Sequence, residues 1–327
     1  MDGAAAHAVR ALRERRLLVV YGARGTLMLV PAADVAVFTV GSAPADETSL
    51  RAAIPGAFLR RLDDAGITAT AALQTVIDAV AGVLAGGPLP RGDTAMAVTR
   101  AVPATLAPPC RGRCPDPHVE DSLFRLAGVS GVMGFDADAD VLVTLDGRLR
   151  AEGSRQDARA ELVHRYLRCY GPSTPAALAE WAGIGKADAR RSLASLAGGT
   201  VEVTVDGSPA GVMLRADAEQ AGAAASASLR FLPAFDAYLL ARDRSMLVPD
   251  RASQRVVWRS AGNPAVVVIG GEPVATWTAR RQGKRTAIRI TPLGAPFPVD
   301  ADDLQEEATR LAAARDAAGP VEVTVDR

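Results

Sequence analysis

The chain of 327 residues has 37 basic and 37 acidic side chains and is 49% hydrophobic. This length exceeds that of one ordinary domain, so two or three domains with apolar cores are expected. The formal net charge of zero argues against a uniformly basic protein and against a disordered polyelectrolyte. It still allows a basic patch on part of the surface.

Targeting and redox features predict a cytoplasmic protein. The chain contains no run of about 18 apolar residues, and its N-terminus lacks a short apolar stretch followed by a small-residue cleavage site. The three cysteines, Cys110, Cys114 and Cys169, are too few for a disulfide scaffold in a chain of this length. They fit a reducing compartment.

The first 150 residues alternate between helices and short strands. Helices are predicted at 4–15, 31–62, 70–85, 92–102 and 119–126, and strands at 17–21, 26–30, 129–135 and 141–145. The last three helices and the hairpin after them have the order of a winged helix. The first helix runs directly into a hairpin, which predicts a remnant or shortened folding unit at the N-terminus.

A further winged helix is predicted downstream, with a clear boundary signal at each element. A helix at 156–169 precedes Ser173, Thr174 and Pro175, which supply an N-cap and a first-turn proline. Gly183-Ile184-Gly185 forms the turn before a third helix at 186–196. Strands at 201–205 and 211–215 flank Asp206-Gly207, a strong hairpin signal.

The C-terminal third has the pattern of a β domain. Strands are predicted at 229–231, 256–259, 265–269, 274–279 and 286–290, then a helix at 301–315 and a strand at 321–325. Such spacing suits a small barrel or sandwich. The fold class is therefore predicted as α+β, with tandem winged-helix domains followed by a small C-terminal β-barrel. The predicted domains are 1–68, a remnant first unit; 69–150, a second unit; 151–228, a winged helix with an alanine-rich linker; and 229–327, the barrel.

The charges are segregated along the chain. Residues 251–291 contain eight basic side chains against Glu272 alone, a net charge of +7, whereas residues 300–326 carry −6. Lys186, Arg190 and Arg191 lie together on the predicted third helix. A solvated face explains many such clusters, but a basic cluster beside a helix-turn-helix favours nucleic acid, because phosphate contacts require clustered Arg and Lys.

Several sequence runs carry a family resemblance. They are Arg24-Gly-Thr-Leu27, Cys169-Tyr-Gly-Pro-Ser-Thr-Pro-Ala176, Phe231-Leu-Pro-Ala-Phe-Asp-Ala-Tyr-Leu-Leu240, Asp243-Arg244, Leu247-Val248-Pro249-Asp250, Val257-Trp258-Arg259 and Gly271-Glu-Pro-Val-Ala-Thr-Trp277. In collinear order over nearly the whole chain, these runs resemble the AlkZ-like winged-helix family of bacterial DNA glycosylases, which is common in actinobacteria.

The resemblance implies tandem winged helices closed by a β-barrel around duplex DNA, and hydrolysis of N-glycosidic bonds in alkylated or crosslinked DNA. An alkylated purine is positively charged and leaves readily, so such an enzyme needs mainly to hold a water and to stabilise an oxocarbenium-like sugar. The expected partner is double-stranded DNA, bound by a monomer at the nucleoid, without a membrane and without a cofactor.

The chain departs from the family pattern at two places. The family's catalytic Gln-hydrophobic-Gln (or Asp) motif is missing, because no glutamine is followed two positions later by Gln or Asp. Met28 stands where relatives often have His, and a thioether forms only weak hydrogen bonds. Two hypotheses follow: the segment with the motif was lost to a misassigned start or a truncation, or a short member binds DNA without cleaving the bond.

Catalytic residues are therefore unassigned, and the site prediction consists of phosphate contacts. The predicted DNA-binding residues are Arg24, Lys186, Arg190, Arg191, Arg244, Arg280, Arg281, Lys284 and Arg285. One alternative is a winged-helix transcriptional regulator that reads sequence through the third helix. Another is a structural or protein-binding role in which the acidic tail masks the basic barrel.

Other candidate residues have structural interpretations as well as functional ones. Cys110, Cys114, His118 and Cys169 could form a Cys3His zinc site, although the spacing is looser than usual, and free thiols or a redox-sensitive pair of Cys110 and Cys114 are the alternatives. Asp236 is predicted to pair with Arg242 or Arg244, or else to face DNA. Phe235 and Tyr238 beside it are predicted to be core residues.

Overall fold

A computed structural model describes residues 4–110, 116–136, 140–145, 154–205, 207–221, 228–240, 244–259, 262–283, 285–294, 297, 299–315 and 319–326. The chain divides into two compact units, Met1–Glu219 and Gln220–Arg327. Both units contain helices and sheets, so the predicted α+β class is confirmed.

The N-terminal unit is mainly helical. Its helices are α1 Ala4–Arg13, α2 Val35–Phe38, α3 Glu47–Ala52, α4 Gly56–Asp64, α5 Ala69–Leu84, α6 Arg91–Ala101, α7 Asp121–Val129, α8 Arg155–Tyr170, α9 Pro175–Ala182, α10 Lys186–Ala194 and α11 Arg215–Ala218. Its strands are β1 Leu17–Tyr21, β2 Leu27–Pro31, β3 Leu89–Pro90, β4 Met133–Asp136, β5 Val141–Thr144, β6 Thr200–Val205 and β7 Ser208–Leu214.

In the described part of the chain no single helix is long and apolar enough to cross a membrane. The helices α4 and α5 meet that test only as a pair bent by 96°.

Five strands from the first 145 residues form one sheet, in the order β2-β1-β4-β5-β3. β1 pairs antiparallel with β4, with Val19 opposite Phe135. Buried side chains that include Tyr21, Leu62 and Leu142 form a hydrophobic cluster around α5 and α7. The first two predicted units both contribute to this sheet and to this cluster, and the boundary at residue 68 stays a prediction.

A separate cluster joins α8, α9 and α10 to the hairpin β6–β7. Tyr166 of α8 packs against Trp181 of α9, with 4.9 Å between ring centroids. Ser173, just before α9, donates its backbone N–H to Val212 of β7 at 2.9 Å. These contacts hold the hairpin against the helices.

The C-terminal unit contains the strands β8 Leu229–Leu232, β9 Ala265–Ile269, β10 Glu272–Gln282, β11 Arg285–Pro292 and β12 Val321–Val325, with the helices α12 Arg244–Leu247, α13 Arg251–Val257 and α14 Ala301–Ala314. The strands form one sheet in the order β12-β11-β10-β9-β8, with β12 parallel to β11. Among the described residues this sheet is open, so the predicted barrel is not confirmed.

Apolar side chains cover both faces of this sheet. Val267 and Trp277 pack with α14 on one face, whereas Val266 and Val268 pack with Leu239 on the other. Neighbouring residues of a strand point to opposite faces, so β9 contributes to both clusters. A strand buried on both faces is a continuous apolar run, which is the pattern of 265–269.

Two sequence predictions in this unit are wrong. Residues 251–257 form the helix α13 in place of a strand at 256–259, because the Asp250 carboxylate accepts the Ser253 backbone N–H at 2.7 Å and caps the helix. Phe235 and Tyr238, predicted in the core, are 60% and 40% exposed. Asp236 accepts the Tyr238 backbone N–H at 2.9 Å, whereas Arg242 lies outside the described residues.

Candidate nucleic-acid interface

The N-terminal unit contains a cavity of about 800 Å³ where four segments of the chain meet. It is lined by the tight turn at Arg24, by residues between Ser42 and Pro55, by α7 with Glu120 before it, and by α9 with the start of α10. Three basic and three acidic side chains line it: Arg24, Arg125, Lys186, Glu120, Asp121 and Glu180. The cavity therefore combines cationic side chains, which can bind phosphate, with carboxylates that can hold a water.

The Arg24 turn is fixed by close packing on both sides. Arg24 itself has a left-handed backbone, with φ 59°, and is exposed while Ala23 and Gly25 are buried. A Cβ at residue 25 would lie 2.8 Å from Cβ of Arg125, and a Cβ at residue 183 would lie 2.6 Å from Cγ of Arg24. Glycine at these two positions lets α7 and the α9–α10 turn approach the Arg24 turn closely.

The helix pair α9–α10 has the boundaries predicted from the sequence. The Thr174 hydroxyl accepts the Ala177 backbone N–H at 3.2 Å, Pro175 is the first helical residue, and Gly183 ends α9 with φ 71°. Lys186 and Arg190 are exposed on α10, whereas Ala189 and Leu193 are buried. One face of α10 thus packs inward, and the other presents two cations to solvent.

A buried ion pair anchors α10. Arg159 of α8 and Asp188 of α10 are 8% and 4% exposed and lie 3.3 Å apart. Arg159 also donates to the carbonyl oxygens of Gly41 and Ala43, and Asp188 accepts the Ala45 backbone N–H at 3.4 Å. Burial lowers the pKa of Arg159 from its ordinary value, and the Asp188 carboxylate opposes this shift. The pair ties α8 and α10 to the segment after α2.

Arg191 already forms ion pairs within the protein. Its guanidinium lies 2.6 Å from Asp46 and 3.8 Å from Asp188. Hydrogen bonds from Ser49 and the ion pair with Arg191 hold the pKa of Asp46 below its ordinary value. Arg191 must therefore exchange Asp46 for a phosphate if it contacts DNA, and its predicted role stays a prediction.

The other predicted DNA contacts lie in the C-terminal unit. Arg280 and Arg281 lie near the end of β10, Arg285 begins β11, and all three are exposed. Lys284 lies outside the described residues. Arg285 lies 3.8 Å from Glu322 of β12. Arg244 of α12 is half-buried, with its guanidinium 5.3 Å from the Trp258 ring centroid. The hairpin β10–β11 therefore concentrates exposed positive charge.

The predicted zinc ligands are only partly described. Cys110 and His118 line a second cavity, of about 1310 Å³, between α4, α6 and α7, whereas Cys169 is an exposed residue of α8. Within the described residues no three potential metal ligands come together, and Cys114 lies outside them. The zinc site stays a prediction.

Sequence reasoning missed the carboxylates and Arg125 that line the first cavity. Asp121 binds Arg125 at 2.6 Å, one helical turn away, and Arg91 at 3.1 Å. Spacing of four residues on a helix predicts the first contact, but nothing in the sequence predicts the second. Glu120 is half-buried and accepts the Ser122 hydroxyl at 3.2 Å.

Comparison with known proteins decides the family. The family model described as DNA glycosylase AlkZ-like matches residues 2–314. The chain belongs to the AlkZ-like DNA glycosylase family. A search of curated proteins finds no match. Among solved structures, this AlkZ-like chain is similar to the Streptomyces sahachiroi DNA glycosylase AlkZ, with a TM-score of 0.75 and 20% identity over 97% of this chain and 84% of that one. At this identity the likeness shows a shared fold.

Proposed function

We propose that this AlkZ-like protein binds double-stranded DNA as a monomer and acts in the repair of alkylated or crosslinked DNA by hydrolysing N-glycosidic bonds. The family match over residues 2–314 carries the proposal. The cavity supports it, because Arg24 and Lys186 converge there on a space of about 800 Å³ that also contains carboxylates.

DNA binding is assigned to two surfaces. α8, α9 and α10 with the hairpin β6–β7 have the order of a winged helix, and the exposed Lys186 and Arg190 of α10 face the solvent where a duplex would bind. The arginines of β10–β11 form the second surface, on the other unit. Arginine and lysine at both surfaces would contact phosphates and so make affinity strongly salt-dependent.

Glu120 is the carboxylate that we assign to holding the attacking water. The chain has no Gln-hydrophobic-Gln (or Asp) motif, and Asp121 is committed to Arg91 and Arg125. Glu120 is half-buried beside it and makes no ion pair within the described residues. A carboxylate at this position would orient the water and stabilise positive charge that develops on the sugar.

The test is base release from duplex DNA that carries 7-methylguanine or a nitrogen-mustard crosslink. The unsubstituted protein is expected to release the base, and Glu120→Gln to lose release while it keeps duplex affinity. Release by Glu120→Gln at the full rate would remove Glu120 from the mechanism. Salt-sensitive binding without any base release would show that this protein binds DNA but does not hydrolyse the N-glycosidic bond.

The second candidate is a winged-helix transcriptional regulator. The α9–α10 pair favours it, because exposed side chains at the start of the second helix are those that read base edges in helix-turn-helix proteins. Selection of bound fragments from a random duplex library distinguishes the two. A defined sequence motif together with no base release would establish the regulator.

A further inference from the structure

The segment Phe231 to Leu240 is pinned at both ends and exposes an aromatic ring in its middle. Phe231 is buried against Trp277, with ring centroids 5.7 Å apart, and the Trp277 indole N–H donates to the Leu232 carbonyl oxygen at 3.0 Å. Leu239 is 1% exposed, and its carbonyl oxygen accepts the Trp258 indole N–H at 2.9 Å. Burial and hydrogen bonds thus fix both ends of the segment.

Phe235 lies at the apex of this segment in an unfavourable conformation. Its φ is 61°, in the left-handed region that a bulky residue rarely adopts, and its side chain is 60% exposed. Burial does not compensate this strain, since most of the ring is in water. Backbone strain at an exposed bulky residue is typical of a functional position.

Hydrogen bonds after Phe235 hold the conformation. The Asp236 carboxylate accepts the Tyr238 backbone N–H at 2.9 Å, and the Tyr238 hydroxyl donates to the Gly271 carbonyl oxygen at 2.6 Å. The Asp236 backbone N–H donates to the Pro233 carbonyl oxygen at 3.2 Å. The ring is therefore held outward by its own loop and by the turn between β9 and β10.

The proposed DNA binding supplies the partner of the ring. Phe235 belongs to the unit Gln220–Arg327, in which residues 251–291 have a net charge of +7 and residues 300–326 a net charge of −6. A duplex bound by the basic residues would present stacked base pairs, an apolar interior that an exposed phenyl ring can enter. Phenylalanine is among the residues that nucleic-acid-binding proteins insert between base pairs to unstack them.

We infer that Phe235 is an apolar wedge that inserts into the DNA base stack and displaces a base. The inference rests on the proposed DNA binding and adds a residue that recognises stacked bases to the phosphate contacts. A base that is taken out of the stack becomes accessible to the chemistry of a glycosylase.

Phe235→Gly tests the wedge without a folding penalty. Glycine adopts a positive φ freely, so this variant is expected to have a thermal midpoint equal to or higher than that of the unsubstituted protein. Duplex affinity, measured by fluorescence anisotropy, is expected to fall about tenfold, as for the loss of one stacking contact. The salt dependence of binding is expected to stay unchanged, since no phosphate contact is removed.

A duplex with a single 2-aminopurine reports the unstacking directly, because this base fluoresces more when it leaves the stack. The unsubstituted protein and Phe235→Trp are expected to raise the fluorescence, and Phe235→Gly is expected not to. Asp140→Gly is the matched backbone control, since Asp140 has φ 53° on the β4–β5 turn, and it is expected to behave like the unsubstituted protein.

The outcomes separate the wedge from the proposed function. Unchanged affinity and an unchanged fluorescence rise for Phe235→Gly, or duplex binding without any rise by the unsubstituted protein, would overturn the wedge and leave DNA binding intact. A lowered thermal midpoint for Phe235→Gly would show a structural role and overturn it as well. Failure of the unsubstituted protein to bind any duplex would overturn the proposed function and the wedge together.

Discussion

In α10, Arg191 is held by Asp46 at 2.6 Å and the helix is anchored by the buried pair of Arg159 and Asp188. At the tip of β10–β11, Arg280 and Arg281 are exposed, and neither forms an ion pair with another described residue. In α10, Arg191 and Asp188 therefore stabilise the fold, and the cations Lys186 and Arg190 are exposed. Neighbouring arginines in a sequence can thus differ in whether they are free to bind a partner.

Removal of the Arg159 side chain is expected to have the largest effect. In Arg159→Ala the Asp188 carboxylate stays buried without its partner, so the free energy of unfolding should fall by about 3–5 kcal/mol. Chemical denaturation followed by circular dichroism measures this. The double variant Arg159→Met with Asp188→Leu is expected to recover most of the loss, and a fall below about 1 kcal/mol for the single variant would mean that the pair is not a structural anchor.

The exposed hairpin is expected to act on affinity alone. Arg280→Ala combined with Arg281→Ala should weaken duplex binding about tenfold and lower the slope of log affinity against log salt by about 2, one for each phosphate contact. Thermal stability should not change. Arg310→Ala is the control, because Arg310 is paired with Glu307 at 2.7 Å. Equal effects of the two variants would contradict a specific role for the hairpin.

The smallest expected effect concerns Asp46→Asn, which releases Arg191. Asparagine can still cap α3, and duplex affinity should rise about twofold, since an exposed ion pair is weak. The folded state lowers the pKa of Asp46, so its carboxylate stabilises the fold above its ordinary pKa, and this stabilisation is lost as the pH falls through the lowered value. Asp46→Asn should therefore flatten the decline of stability below about pH 4, measured by denaturation across pH.

Local signals predicted the helix pair well. Thr174, Pro175 and Gly183 act through neighbours within one turn of the chain, and the structure confirms each of them at its predicted boundary. The strand predicted at 321–325 is also confirmed as β12, and it pairs with β11. These features depend on backbone preferences that a sequence states directly.

Contacts between residues far apart in the chain could not be predicted from the sequence. The contacts of Arg159 with Gly41 and Ala43 bridge more than a hundred residues, and β1 reaches β4 across a similar distance. Phe235 was misplaced for another reason: its apolar neighbours favour burial, whereas its exposure depends on the left-handed backbone of its loop and on the hydrogen bond from Tyr238 to Gly271. The cavity carboxylates were missed because α7 and α9 are distant in the sequence and have to meet before Glu120, Asp121 and Glu180 form a group.

The arrangement around Gly183 also defines which positions near α10 a mutational library can vary. A side chain at residue 183 would collide with Arg24 and would also require a left-handed backbone, so this position has to remain glycine in any mutational library. Lys186, Ala187 and Arg190 are exposed on α10 and can be randomised without disturbing the buried side of the helix. Randomising these three positions would thus vary the proposed DNA-binding surface while the buried side of α10 stays constant.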